Sequence, residues 1–274
     1  MAERKRMLVI CPFPQGVAAG QRLKYEQYFD DWRAAGYDID VSSFMDMPMW
    51  KIVYQPGNYF GKVLGVLRGH MRRLGDLFRV SRYDVVYVFM YVTPFGTTIM
   101  ERLVRRLAKR MIVDVEDDIL SGEPPKGIRH PNPLAQLIKN PEKAKQLIAT
   151  ADYVIAASPF MRDRWENVNF KGNCISIPSS INTDRIVPAA VFAADSPVVI
   201  GWTGTFSTKP YLDMLKPVFL ELAQRVPFHL HVIGNFPYEL PGVSLKVIQW
   251  SAEREVEDLQ SLHIGVYPLA DDKW

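Results

Sequence analysis

Short apolar runs rich in β-branched residues alternate along the chain with segments of helical spacing, and this alternation constrains the fold more than any other feature. The runs at residues 7–11, 83–89, 111–115 and 198–202 predict buried strands. Strands that alternate with helices form right-handed crossover units whose strands are parallel. The sequence therefore predicts an α/β fold built on parallel sheets.

The most informative turn follows the run at 198–202. Thr203, Gly204 and Thr205 come directly after it, and a helical pattern begins near Lys209. Backbone amides at a tight turn before a helix favour an anion, because the helix dipole is positive there. Lys209 would add a mobile positive charge. An ordinary strand–helix turn is the competing interpretation, and the pattern alone does not separate the two.

A loop with two glycines follows the first predicted strand. Gly16 and Gly20 precede or begin a helical pattern that extends over residues 23–35, and Arg22 lies near its start. The spacing does not match the dinucleotide-binding fingerprint Gly-x-Gly-x-x-Gly. Two glycines and an arginine nevertheless suit a phosphate or sugar ligand. A plain connecting loop is the alternative.

Three consecutive acidic residues follow the strand at 111–115. Glu116, Asp117 and Asp118 would lie at the carboxyl edge of the sheet, where open α/β sheets bind ligands. One of these carboxylates could act as a general base or hold sugar hydroxyls. Alternatively, Asp117 or Asp118 caps the next helix. We favour a functional role, because three adjacent acids repel one another unless something uses them.

Residues 62–82 combine basic side chains with an apolar stripe. Apolar residues recur at helical spacing at Val63, Leu67, Met71, Leu74 and Phe78. We expect this stripe to pack on the sheet and the basic side to face water; the alternative is a helix that lies on an anionic membrane. The Met-rich and aromatic residues 45–60 are expected to form a loop that lines a groove or covers the core.

Composition excludes several classes of protein. The chain has 274 residues, 48% of them hydrophobic, and a net charge of +3, which gives no reason to expect a nucleic-acid partner. No apolar run is long enough for a signal sequence or a membrane span, and the two distant cysteines suit a reducing compartment. We expect a cytoplasmic protein, soluble or bound peripherally at the inner membrane face. His229 and His231 alternate on one strand, but no third ligand is suitably spaced, so no metal site is expected.

The length suggests two domains. We expect an N-terminal Rossmann-like domain at residues 1–187, a linker at 188–197 rich in alanine with proline at each end, and a second Rossmann-like domain at 198–274. The second domain has few predicted strands before Trp274, so we expect it to be incomplete.

Six segments resemble, in order and spacing, the GT-B glycosyltransferases of the retaining family 4 group (glycosyl transferases group 1). They are the loop at 12–22, the strand end at 113–118, and residues 151–158, 177–184, 200–205 and 264–269. At 177–184 the chain reads Ile-Pro-Ser-Ser-Ile-Asn-Thr-Asp, where the family usually has Ile-Pro-Asn-Gly-Ile-Asp. The resemblance extends over nearly the whole chain.

The resemblance implies two Rossmann-like domains facing a cleft and a hexosyltransferase-type enzyme (EC 2.4) of polysaccharide or glycolipid biosynthesis. It would move a sugar from a nucleotide-diphosphate sugar to a glycan or lipid-linked acceptor, with retained anomeric configuration. No metal or cofactor is expected, because amides and basic side chains hold the leaving diphosphate. The residues implied for donor and phosphate binding are Gly16, Gly20, Arg22, Thr203, Gly204, Thr205 and Lys209. Glu116 and Asp117 would take the catalytic position, near which relatives often place a histidine.

Two departures from the family pattern matter. The family usually carries an arginine and a lysine after the second-domain turn, and here only Lys209 is available. The family's Glu-x7-Glu helix would follow residues 267–269, and the sequence ends before it, so we expect weak or absent donor binding and low or absent activity. The alternative function is a non-catalytic GT-B-like remnant or subunit that needs a partner chain. A sugar-nucleotide epimerase is less favoured, because its acid/base residues are not evident.

Overall fold

A computed structural model gives the fold and describes residues 4–116, 142–189 and 197–270. These residues form two compact units, one of residues 4–116 with 142–181 and one of residues 182–189 with 197–270. Each unit is built on its own parallel sheet, so the predicted α/β class is confirmed. Within the described ranges, no helix has the length and apolar character needed to cross a membrane.

The first sheet has six parallel strands in the order β2-β1-β3-β4-β5-β6. In chain order they are β1 (Lys5–Cys11), β2 (Tyr37–Ser43), β3 (Val85–Phe89), β4 (Met111–Val115), β5 (Tyr153–Ala156) and β6 (Cys174–Ser176). The strand order reverses between β1 and β3. Open parallel sheets bind ligands beside such a reversal, outside the carboxyl ends of the strands.

Both faces of this sheet are buried. Along β1, Leu8 and Ile10 belong to one apolar cluster, whereas Met7 and Val9 belong to another. Successive side chains of a strand point to opposite faces, so the two clusters cover the two faces. This two-sided burial explains why the strand is apolar at consecutive positions.

Seven described helices accompany the first sheet. They are α1 (Ala19–Lys24), α2 (Phe29–Ala34), α3 (Met47–Val53), α4 (Tyr59–Leu77), α5 (Ile99–Leu107), α6 (Glu142–Thr150) and α7 (Pro159–Glu166). The single helix expected at 23–35 is wrong, because a 3-10 turn at Glu26–Tyr28 separates α1 from α2. The loop expected at 45–60 is also wrong, because Asp46 caps α3 by accepting a hydrogen bond from the Met49 amide at 3.0 Å.

Helix α4 turns its apolar stripe to solvent, opposite to the sequence expectation. Its buried residues are Gly65, Gly69, Arg73 and Asp76. A Cβ at Gly69 would lie 2.7 Å from the ring of Phe44, so the helix backbone lies directly on that ring. Arg73 and Asp76 form an ion pair of 3.0 Å that is fully buried. The helix therefore packs through glycines and a satisfied ion pair, and its large apolar side chains remain outside.

The second sheet has four parallel strands among the described residues, in the order β10-β7-β8-β9. The elements of this unit are β7 (Val198–Thr203), α8 (Lys209–Asp213), α9 (Lys216–Ala223), β8 (Phe228–Gly234), β9 (Leu245–Gln249), α10 (Glu255–Gln260) and β10 (Ile264–Gly265). The order reverses beside β7, so the turn after β7 lies at the second position where open parallel sheets generally bind ligands. The helical pattern that was expected to begin near Lys209 is divided into two helices, α8 and α9.

Candidate functional site

The loop after β1 is held by two polar side chains of the helices that follow it. The Gln21 amide accepts a hydrogen bond from the Phe13 N–H at 2.9 Å and donates one to the Phe13 carbonyl at 3.2 Å. Glu26 accepts the Gly16 N–H at 2.9 Å. Gly16 has a φ of +81°, in the left-handed region that glycine tolerates. The Gly16 amide is therefore used for a hydrogen bond to Glu26 that holds the loop in place.

Glu26 is partly buried beneath this loop. Burial raises the pKa of its carboxyl, whereas the bonds from Gly16 and Gln21 and the charge of Arg22 lower it. The net direction is upward. The charge of Arg22 thus acts on the Glu26 carboxyl that holds the loop. The Arg22 backbone N–H donates to the Ala18 carbonyl at 3.0 Å, within the first turn of α1.

Glu116 follows β4 directly, and its carboxylate is held between α1 and the segment after β6. A Cβ at Gly20 would lie 2.4 Å from Glu116 Oε2, so only a glycine leaves room for the carboxylate in this position. The Ser179 hydroxyl donates to Glu116 Oε1 at 3.1 Å. Glu116 is half-buried. The side chain is consequently fixed at the carboxyl edge of the sheet without being removed from solvent.

A buried ion pair lies next to Glu116 and joins Lys24 of α1 to Asp114 of β4, two residues before Glu116. Lys24 Nζ and Asp114 Oδ1 are 3.6 Å apart, and both side chains are almost fully buried. The Tyr87 hydroxyl donates to Asp114 Oδ2. Burial raises the pKa of Asp114 to about 6, although Lys24 and the bond from Tyr87 lower it.

The pairings follow from two periodicities. Gly20 and Lys24 lie four residues apart on α1, and Asp114 and Glu116 lie two apart on β4, so each pair shares one face of its element. α1 therefore contacts the end of β4 and the residue after it at two points: Gly20 lies against Glu116, and Lys24 pairs with Asp114.

The segment after β6 is fastened to α1 and the turn after it. Lys24 Nζ donates to the Ile177 carbonyl, and the Gln27 side-chain amide donates to the Ser180 carbonyl at 2.9 Å. The hydroxyls of Tyr28 and Ser180 also hydrogen-bond. These contacts place Ser179 where its hydroxyl reaches Glu116.

Backbone strain marks the same edge of the sheet. Met90, directly after β3, has a φ of +62°, which is uncommon for a residue other than glycine. Its N–H donates to the Asp114 carbonyl at 2.8 Å. Strained residues of this kind cluster at functional sites, where surrounding contacts hold them in place.

In the second unit, the turn after β7 is closed by its own hydrogen bonds. The Gly204 N–H donates to the Ile233 carbonyl at 3.1 Å, and the Thr205 N–H donates to the Thr208 hydroxyl at 3.0 Å. A Cβ at Gly204 would lie 2.4 Å from the ring of Trp202. The expected amides at this turn are therefore present, but both are occupied within the unit. α8 has only five residues, and the Thr208 side chain does not cap it.

Two lysines share one carboxylate beside this turn. Asp213 contacts Lys209 Nζ at 2.9 Å and Lys216 Nζ at 3.0 Å. Both ammonium groups lie 5.4 Å from the centre of the Tyr238 ring. Although burial raises the pKa of Asp213, the bonds from the two lysines bring it below its ordinary value. The cluster carries one more positive charge than negative and is open to solvent.

The structure thus brings Gly20 and Glu116 into contact and places Gly16 and Arg22 on the preceding loop and helix. Thr203, Gly204, Thr205 and Lys209 share one turn of the second unit. Asp117 lies outside the described residues. Sequence reasoning missed Lys24, Asp114, Ser179 and Lys216 as site residues. The sequence held two signals for them: Asp114 is a lone aspartate inside an apolar strand, and Lys216 is a lysine seven residues after Lys209.

Among the described residues, no three His, Cys, Asp or Glu side chains lie close enough together to hold an ion. His229 instead hydrogen-bonds the Ser244 hydroxyl at 2.7 Å.

Comparison with known proteins gives structural matches only. No protein-family model matches the sequence, and no curated protein matches it. The chain is similar to the catalytic domain of starch synthase IV from Arabidopsis thaliana bound to ADP and acarbose, with 11% identity, 92% of this chain and 76% of that chain covered, and a TM-score of 0.53. It is also similar to an alpha-glucosyltransferase in complex with UDP, with 11% identity, coverage of 95% and 72%, and a TM-score of 0.54. At this identity the similarity shows the fold: the chain has a GT-B type fold with two Rossmann-like units.

Proposed function

We propose that the chain is a glycosyltransferase that moves a sugar from a nucleoside-diphosphate sugar to a glycan or glycolipid acceptor, with retained anomeric configuration. The observation that carries the proposal is the Glu116 carboxylate, fixed at the carboxyl end of β4 between Gly20 and Ser179. The fold shared with sugar-transferring enzymes bound to ADP and UDP supports the substrate class.

In the proposed reaction, the bond between the sugar C1 and the diphosphate oxygen breaks, and the leaving diphosphate keeps the electron pair. A bond forms between C1 and the acceptor oxygen, which loses its proton. Glu116 hydrogen-bonds the acceptor hydroxyl and draws this proton toward its carboxylate. Ser179 orients that carboxylate. Asp117 is a second candidate for this role.

In the second unit, Lys209 and Lys216 are the proposed diphosphate ligands. Both are held on Asp213 within reach of the turn after β7. A diphosphate would add two or more negative charges to a cluster that has a single excess positive charge. Cations placed where leaving-group charge develops stabilise the transition state. The proposal requires no resident metal or cofactor.

One observation favours the competing function, a non-catalytic binding module. The Gly204 and Thr205 amides donate within their own unit, so a phosphate would have to displace the Thr208 hydroxyl before it could accept the Thr205 N–H. A module that has lost donor binding has no need to keep these amides available.

Calorimetric titration of the chain with UDP, ADP, GDP and their glucose conjugates separates the two functions. We expect binding of one nucleotide and release of that nucleotide from its sugar conjugate in the presence of acceptor. Glu116→Gln should lower the rate at least about a hundredfold, the size of a general-base contribution, and leave nucleotide affinity unchanged. Glu166→Gln, an exposed glutamate of α7, is the matched control. No binding of any nucleotide would support the non-catalytic module.

A further inference from the structure

The exposed face of α4 is not used by the proposed reaction. Its exposed positions, together with the C-cap, are Tyr59, Phe60, Val63, Leu64, Leu67, Met71, Leu74, Gly75 and Phe78. Not one of these residues is charged. Nineteen residues of α-helix are about 28 Å long, so the apolar stripe extends without interruption over that distance. A continuous apolar surface of this size on a folded unit marks an interaction site.

Basic side chains border the stripe. Lys62, Arg68, Arg72 and Arg79 are all partly exposed, whereas Asp76, the only acidic residue of α4, is buried. Asp46 is shared between Arg68 at 2.7 Å and Arg72 at 3.9 Å. Asp76 is likewise shared between Arg79 and the buried Arg73. Each carboxylate therefore faces two guanidinium groups, and a positive excess remains on the flanks.

The surfaces next to α4 also expose apolar and basic side chains. The neighbouring helix α5 exposes Ile99, Leu103 and Leu107 together with Arg102 and Arg106. Just after the C-terminal end of α4, the guanidinium of Arg79 lies over the ring of Tyr83, and the guanidinium of Arg6 also lies over this ring. Arg6 in turn lines a cavity with Arg4, Lys5, Arg82, Lys109, Arg110 and one acidic residue, Asp84. Three of its cations are paired with carboxylates, Arg4 with Asp38, Arg6 with Asp40 and Lys109 with Asp84.

We infer that the exposed face of α4 binds the surface of an anionic lipid bilayer. The helix lies in the membrane plane with its stripe at the boundary between headgroups and acyl chains, while the flanking lysine and arginines contact lipid phosphates. Long basic side chains reach the headgroups while their stems stay on the apolar surface. A second copy of this face is a poorer occupant, because it would bring two positively charged flanks together. The inference is independent of glycosyl transfer, since vesicle binding needs no donor.

Co-sedimentation with vesicles tests the inference. We expect the full chain to pellet with vesicles that contain phosphatidylglycerol, to bind pure phosphatidylcholine at least about tenfold more weakly, and to be released as salt rises. Phe78→Ser combined with Leu67→Ser should lower the partition coefficient at least about tenfold, since each removes a large apolar side chain from the interface. Both residues are exposed, so circular dichroism should report an unchanged fold.

Phe170→Ser provides a matched control, because Phe170 and Phe78 are each 82% exposed in the same unit. It should bind vesicles as the unchanged chain does. Absence of pelleting with anionic vesicles, or an equal loss with Phe170→Ser, would overturn the inference. A concentration-dependent dimer that the double substitution abolishes, without any vesicle binding, would assign the face to a second copy instead.

Discussion

The carboxyl edges of the two sheets hold similar groups in opposite settings. In the first unit, Lys24 and Asp114 are almost fully buried, and the pair is fastened to β3 through Tyr87. In the second unit, Lys209 and Asp213 form a shorter contact, 2.9 Å against 3.6 Å, but each side chain keeps about a third of its exposure. The first pair is part of the packed interior, and the second lies on a solvated surface.

This difference indicates a division of roles. Removing one partner of a buried ion pair leaves an uncompensated charge, whereas a surface pair is screened by water. The first edge should therefore hold Glu116 in a fixed geometry, and loss of the buried Lys24–Asp114 pair should affect folding. The second edge can release its lysines to a ligand with little effect on the fold. The following predictions test this contrast.

The largest expected effect is on stability. Lys24→Met keeps the apolar stem but leaves Asp114 buried without its cation, and should lower the free energy of unfolding by about 3–5 kcal/mol. Lys209→Met, the matched change in the second unit, should cost at most about 1 kcal/mol. Urea unfolding followed by tryptophan fluorescence measures both. Equal effects would remove the distinction between the two edges.

The next effect is a pH dependence that differs in sign between the two edges. Asp114 has its folded-state pKa raised to about 6, above an unfolded value of about 3.9. The folded state thus binds more protons between these values, and stability should fall by about 1–3 kcal/mol as pH rises from about 4 to about 6. Asp213 has a lowered pKa, so its contribution is lost only as pH falls below about 4.

Unfolding measured across this pH range in the unchanged chain and in Asp114→Asn isolates the first contribution, because asparagine does not titrate. The difference between the two curves should change between pH 4 and 6 and remain constant above. A difference that is flat throughout would mean that Lys24 keeps Asp114 ionised over the whole range.

The smallest expected effect is a loss of activity caused only by a change in the position of the Glu116 carboxylate. Gly20→Ala places a methyl group 2.4 Å from the present position of Glu116 Oε2, so the flexible carboxylate must move while the fold persists. Transferase activity should fall about tenfold or more, since displacing a catalytic group by about 1 Å is enough to do this. Gly75→Ala is the control, because nothing lies within 4 Å of a Cβ there. Unchanged activity in Gly20→Ala would argue against a role for Glu116.

Much of the fold could be predicted because two-sided burial leaves a direct trace in the sequence. The consecutive apolar residues of β1 and β7 identify strands of a parallel sheet, and Glu116 follows the carboxyl end of a strand, the position at which such sheets generally bind ligands. The contacts of Glu116 could not be predicted in the same way. Ser179 lies 63 residues away along the chain, and no local pattern connects the two.

Helix α4 shows where sequence periodicity fails. Its apolar spacing correctly indicated an amphipathic helix but not which side faces the sheet. The buried side was decided by Gly65 and Gly69, which let the backbone contact Met49 and Phe44, and by the buried pair of Arg73 and Asp76. The usual assumption that the apolar side is buried holds only when no neighbouring surface fits the other side better.

The sequence by itself therefore determined the parallel α/β class, the order of the strands along the chain and the positions of the polar strand ends, because each depends on the burial and turn preferences of neighbouring residues. Only the tertiary structure decided that Gly20 admits the Glu116 carboxylate, that Lys24 and Asp114 are buried as a pair, and that α4 exposes its apolar stripe. These outcomes depend on close packing and charge burial between segments far apart in the chain.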